Sequence, residues 1–331
     1  MNQSYFLPFK EPRFICSDKF TAANAIIESN LKEKSPSLAV HYINCAYDEF
    51  ESSHKFIITV FDYLARCKNI MHDQGFDMSK EYYRSPGVDL VADLKRVISS
   101  NFYTVGQCNR SYVESNAPSD APLFYFFLTG YDDTTQEFLI HGIDLSEKYI
   151  TVKIKYDVFV KALFDTNTHS IPLVFWCFWY EANIDDVWSA LVSELEDYVH
   201  SQNRKVNYGT AKYGFEAMRC LAEHFKETAD KEKHINELYL KKILAHKYYM
   251  RLRMECLAEH QIIDAQWIRC AKDVEKISQQ IWNEGLCFNA TQDFSLLAAM
   301  LAHMAQMTEA ERTYLPTVVN QLNAYQEMKA K

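Results

Sequence analysis

The chain has 331 residues, 48% of them hydrophobic and 24% charged, with only eight glycines and eight prolines. That is enough apolar material for one large domain or two modest ones, and it excludes collagen-like and low-complexity chains. A formal net charge of -9 leaves no surplus of cations to neutralise phosphates, which argues against nucleic acid or an anionic membrane surface as partner.

The opening residues lack the basic and apolar regions of a secretion signal, and the longest apolar run, 171–180, is too short to span a bilayer. A cytoplasmic protein with no membrane segment is expected. A helix capped by Ser17 or Asp18 starts just after Cys16. A second helix is expected over 85–100, where Val88, Val91, Leu94, Val97 and Ile98 recur at helical spacing. Aromatic-rich strands follow at 102–106 and 123–129, and the polar run 130–136 turns the second of these into a hairpin with 137–143. A strand over 148–155 leads into a short helix from Tyr156 to Phe164, and 171–180 reads as a buried strand.

From Asp185 the pattern becomes helical, with segments at 186–199, 213–225, 235–260, 264–285 and 293–307. The polar stretch 201–209 marks the expected junction, giving an α+β domain over 1–205 and an all-α domain over 206–331. The helix over 235–260 suits self-association into a homodimer as well as packing within the chain.

The nine cysteines, at 16, 45, 67, 108, 177, 220, 256, 270 and 287, show no CxxC or other close pairing. Reduced thiols are expected, without a disulfide framework or a structural zinc site. No GxxxxGK[ST], GxGxxG or HExxH pattern occurs, so no cofactor or metal is expected.

Cys16 is the most suggestive single residue. The amide donors of a helix N-terminus lower a thiol pKa and can hold a developing oxyanion, although a lone buried cysteine is more often a small core residue. Such a thiol needs a histidine base steadied by a carboxylate or amide. His141 and Asp144 are the candidates. Residues three apart on a regular strand point to opposite faces, so this pair meets only across a bulge. The pair Asp132 and Asp133 reads as turn chemistry. Phe124, Phe126, Gly142 and Trp176 are the candidate substrate-binding positions, in segments whose aromatics otherwise serve as core. In the helical part, His246, Met250 and Arg253 share a helix face. Arg251 and Arg253 offer cations for an anionic group, against the alternative of bundle packing.

Several segments together resemble the butirosin biosynthesis protein H-like family. They are 123–142 (LFYFFLTGYDDTTQEFLIHG), 148–150, 156–162, the cysteine-bearing 12–25, and in the helical part 183–188, 195–199, 213–214 and 246–253. The resemblance implies a papain-like cysteine-peptidase-type domain followed by helices. It also implies a place in bacterial specialised-metabolite biosynthesis, where such proteins use Cys-His-Asp machinery for proteolysis, amide formation or acyl transfer from a carrier protein. Carried over, Cys16 matches the nucleophile, but the histidine position falls on Phe124 and the carboxylate position on Gly142. Two of the three triad positions are therefore replaced. The expected function is acyl or aminoacyl transfer from a carrier-protein thioester to a small amine acceptor, with His141 standing in as base. The competing expectation is a catalytically degenerate scaffold that binds a carrier protein or synthetase. A cysteine peptidase comes third, since hydrolysis of an unactivated amide needs the acid-base pair most.

Overall fold

The computed structural model describes residues 3–14, 25–26, 28–30, 43, 45–48, 55–58, 71–118, 120–166, 170–178, 184–202, 204 and 211–329. The fold is mixed α+β, with an antiparallel sheet and a helical C-terminal region. The chain divides into two compact units, one formed by Met1–Asn30 with Cys67–Glu181, the other by Leu31–Arg66 with Ala182–Lys331. This departs from the junction expected near residue 205. The helix over 184–199 belongs with the helical unit, as does a stretch drawn from the first quarter of the chain. A boundary read from local composition has no access to such long-range partners.

The first unit is built on one sheet. Its strands are β1 (Ser4–Phe6), β4 (Met71–Ser79), β5 (Phe102–Cys108), β6 (Phe124–Asp132), β7 (Glu137–Ile143), β8 (Tyr149–Lys155) and β9 (Ser170–Phe178). They lie in the order β4-β9-β5-β6-β7-β8, with β1 pairing the far end of β6, and every pairing is antiparallel. The β6–β7 hairpin stands where the polar run predicts it. Asp132 steadies its turn, Oδ1 accepting from the Thr134 amide at 2.8 Å, while Asp133 Oδ1 accepts from Lys95 Nζ at 2.5 Å and Tyr156 Oη at 3.0 Å, outside the hairpin. The expected turn role thus holds for the Asp132 side chain, whereas the Asp133 carboxylate ties the hairpin to residues on the covering helices.

Two helices cover one sheet face. Helix α2 (Leu90–Ser99), which follows the short α1 (Lys80–Arg84), starts later than the pattern suggests because Asp89 caps it, its side chain accepting from the Ala92 amide at 3.1 Å. It buries Leu90, Leu94 and Ile98. Helix α3 (Tyr156–Phe164) sets Phe159 edge-on against Phe126 and Phe138, with centroids 5.0 and 5.4 Å apart.

The second unit holds a small sheet ordered β10-β2-β3, made of Lys212–Tyr213, Cys45–Asp48 and Lys55–Ile58. Its helices are α4 (Ile184–Val199), α5 (Gly214–Glu232), α6 (Glu237–Glu259), α7 (Gln266–Thr291) and α8 (Phe294–Lys329). Gly214 opens α5 at φ +54°, and a Cβ there would stand 2.0 Å from the Tyr198 carbonyl oxygen, so only glycine fits. Helix α8 runs 36 residues, through Pro316, well beyond the expected end at 307. The polar run after Met307 reads as an exit, yet Glu311, Tyr314, Leu315, Val318, Val319 and Leu322 all turn inward. Among the described residues, no helix is long and apolar enough to cross a membrane.

Candidate functional site

The two strands singled out by the sequence, β6 and β7, pair so that Phe126 faces Gly142, Phe127 faces His141 and Leu128 faces Ile140. Side chains alternate along a strand, so Phe124, Phe126, Ile140 and Gly142 share one face while Phe127 and His141 occupy the other. The two faces have different chemistry.

On the first face, Phe124 and Gly142 are packed into one another. A Cβ on Gly142 would lie 2.4 Å from Phe124 Cζ and 2.6 Å from the Tyr125 carbonyl oxygen, so the phenyl ring occupies the space a side chain would need. The Arg110 guanidinium lies 5.2 Å from the Phe124 centroid. Its Nε donates to the Pro122 carbonyl at 3.0 Å, and its Nη1 donates to the Ile143 carbonyl at 3.0 Å and to Glu114. Cys108 pairs with Phe124 across β5 and β6, and burial pushes its thiol up to about 12. That thiol is an inert core group. Phe126, fully buried against Phe159, is likewise core, so neither it nor Phe124 is open to a substrate as described.

On the second face His141 is wholly buried. Its Nε2 is 2.8 Å from Thr129 Oγ1 and its Nδ1 is 2.9 Å from Thr151 Oγ1. The ring of Phe9 stacks on it at 3.7 Å, with Phe127 at 5.2 Å and Tyr149 at 6.2 Å. Burial lowers its pKa to about 3, so at neutral pH the ring is uncharged and a weak base. Tyr103, which lies on this face, accepts from Asn30 Nδ2 at 2.9 Å, so the helical residues 28–30 cover the same side.

The expected pairing of His141 with Asp144 is not formed. Asp144 follows the end of β7 and closes a turn, its Oδ1 accepting from the amides of Ser146 and Lys148, both at 2.8 Å. A bulge does exist, but between Leu128 and Gly130 of β6, while the β7–β8 register around His141 is unbroken. His141 therefore stays on the face opposite Phe124 and Gly142. Among the described side chains of this unit it is the single histidine.

Cys16 lies outside the described residues, as does the helix start at Ser17 and Asp18. Trp176 is placed on β9, paired with Tyr103 and Asp73, and its side chain is likewise outside the described set. In the helical unit, Arg253 is fully buried with Nη1 2.8 Å from Met250 Sδ, and His246 Nε2 donates to the Ile43 carbonyl at 2.7 Å. Arg251 is neutralised by Glu255 at 3.0 Å and Glu275 at 2.6 Å. The alternative of bundle packing holds for this set. An open groove of 510 Å³ between the α6–α7 turn and the end of α8 is lined by Ile262, Ile263, Ala324, Tyr325 and Met328 among others, with no cysteine or histidine.

Sequence reasoning missed Arg110, whose guanidinium ties three segments to the Phe124 ring. The signal was a single basic residue in a loop, which carries no periodicity. No protein-family model matches the chain, and no match was found among curated proteins.

Proposed function

We propose that this chain is a catalytically degenerate member of the papain-like proteins found in bacterial specialised-metabolite clusters, acting in the cytoplasm as a scaffold that binds a carrier protein or synthetase. The observation that carries the reading is the packing of Phe124 onto Gly142. These are the positions to which the resemblance assigns the histidine and the carboxylate, and their contact across β6 and β7 supports treating them as a former pair. The space beside position 142 that an orienting side chain would fill is taken by the Phe124 ring and the Tyr125 carbonyl. The other face supplies no substitute, because His141 is buried, engaged at both nitrogens and weakly basic. General acid-base catalysis is typically worth ~10²–10⁴-fold, so its loss weighs heavily against turnover.

Acyl transfer through Cys16 is the reading this displaces, and one experiment separates the two. Purified protein and Cys16→Ala are incubated with acyl thioesters carried on a pantetheinyl carrier protein, then examined by intact mass and by binding. The scaffold reading expects no acyl adduct, no transfer to an amine acceptor, and equal carrier binding by both proteins. An adduct that disappears in Cys16→Ala, or transfer by the purified protein, overturns it in favour of the acyltransferase.

A further inference from the structure

The helical unit buries a charged cluster that the reading above does not use. Lys247 on α6 donates from Nζ to Glu311 Oε2 on α8 at 2.7 Å and to Tyr198 Oη on α4 at 2.9 Å, and Tyr198 Oη donates to the same Glu311 oxygen at 2.7 Å. Three helices thus converge on one carboxylate oxygen. Lys247 and Glu311 both have side chains that are 0% exposed.

Burial of a paired charge is no general source of stability, because desolvation of the two ions offsets their attraction. This cluster is not optimised for stability either. Glu311 Oε1 and Tyr314 Oη, one turn apart on α8, are buried without a hydrogen-bond partner among the described residues. Its best physical use is to select one arrangement among many. On α6 the consecutive residues Tyr248, Tyr249 and Met250, and again Leu252, Arg253 and Met254, are all buried, while Lys241, Leu244, Arg251, Glu255 and Ala258 keep a half-buried stripe along one side. Such a stripe fixes the rotation of a helix but not its position along its own axis. A slide by one turn, about 5.4 Å, would exchange apolar contacts for similar ones. It would also strand the Lys247 ammonium in the core away from Glu311.

We propose that the Lys247–Glu311–Tyr198 cluster is a register lock, which specifies the mutual alignment of α4, α6 and α8 without adding to the stability of the bundle. Its test uses the full chain carrying the apolar triple substitution Lys247→Met, Glu311→Leu and Tyr198→Phe, beside a charge swap, Lys247→Glu with Glu311→Lys. The triple variant is expected to keep its helix content and a melting temperature at or above that of the parent. Its α6 and α8 methyl signals should double or broaden, and its α6 amides should exchange about tenfold faster or more. The swap is expected to return a single set of signals. A triple variant with one sharp set of signals and parental exchange overturns the proposal. A triple variant that fails to fold also overturns it, since the cluster would then be a stabilising element, and so does a swap that leaves the signals doubled.

Discussion

The two units bury polar groups in opposite ways. In the sheet unit, His141 is held neutral between two threonine hydroxyls and a stack of aromatic rings. In the helical unit, Lys247 is held against Glu311 with a tyrosine hydroxyl closing the triangle. Hydroxyls on neighbouring strands satisfy the imidazole from 10 and 12 residues away in the chain, because cross-strand side chains lie side by side. A buried ammonium has no such local solution and draws its partner from a helix 64 residues away in sequence. Neither centre resembles a site prepared for turnover: one has lost its basicity, and the other has no exposed atom on either charged side chain.

The sharpest way to break the comparison is to remove one charge. Lys247→Met alone leaves the Glu311 carboxylate buried with only Tyr198 to meet it, and a loss of about 3–5 kcal/mol is expected. Urea unfolding of the single variant against the apolar triple measures this. A single variant as stable as the parent would show that water reaches Glu311.

Gly142→Ala comes next. Its methyl group meets Phe124 Cζ at 2.4 Å and the Tyr125 carbonyl at 2.6 Å, and overpacking of this kind costs about 1–3 kcal/mol. Phe124→Leu removes the ring and leaves the carbonyl contact, so the double variant should be more stable than the sum of the two changes predicts. Additive effects in thermal unfolding would show that the ring is not what fills the position.

The His141 ring makes the sheet unit sensitive to acid. Its folded pKa of about 3 lies below the ordinary histidine value of 6.5, so between these limits the unfolded chain binds the proton and the folded chain does not. Stability is fully present above the unfolded value and falls as pH drops through this window, by about 1.4 kcal/mol per pH unit for this residue. His246, also held neutral by burial, adds to the slope through the helical unit. His141→Phe should flatten the acid limb of a stability-against-pH curve by one proton. An unchanged limb, or an imidazole signal that titrates near neutrality, contradicts the burial argument.

The sequence carried the strands β5 to β9, the β6–β7 hairpin and helices α2 to α7 through local signals: aromatic runs, helical spacing and acidic turn residues. It did not carry β4, whose segment is His72, Asp73, Gln74, Gly75, Phe76 and Asp77, because this edge strand is a polar run without alternation and is held by its pairing with β9 alone. The length of α8 was hidden because Glu311 reads as a surface residue until Lys247 is seen facing it. That Phe124 and Gly142 share one face of the hairpin was legible by counting along its strands. That His141 points away from Gly142 was equally legible from their adjacency on one strand. The threonines and Phe9 that enclose it come from β6, β8 and the N-terminal segment, which no local pattern joins.

The smallest expected effect separates a turn residue from a catalytic one. Asp144→Ala removes two amide contacts of 2.8 Å at the end of β7, and each such hydrogen bond is worth about 1 kcal/mol or somewhat more for a charged acceptor. The exposed turn lets water take over part of that loss, so a net change of about 1 kcal/mol is expected in denaturant unfolding. Asp144→Asn keeps one carbonyl oxygen able to accept from the Ser146 and Lys148 amides, and should recover most of it. An orienting carboxylate would behave differently, since its replacement by an amide would disturb the imidazole while leaving the turn intact. With His141 held by Thr129 and Thr151, the imidazole signals of Asp144→Asn should match those of the parent. A shifted His141 resonance in that variant would mean that the two residues communicate across the strand end after all.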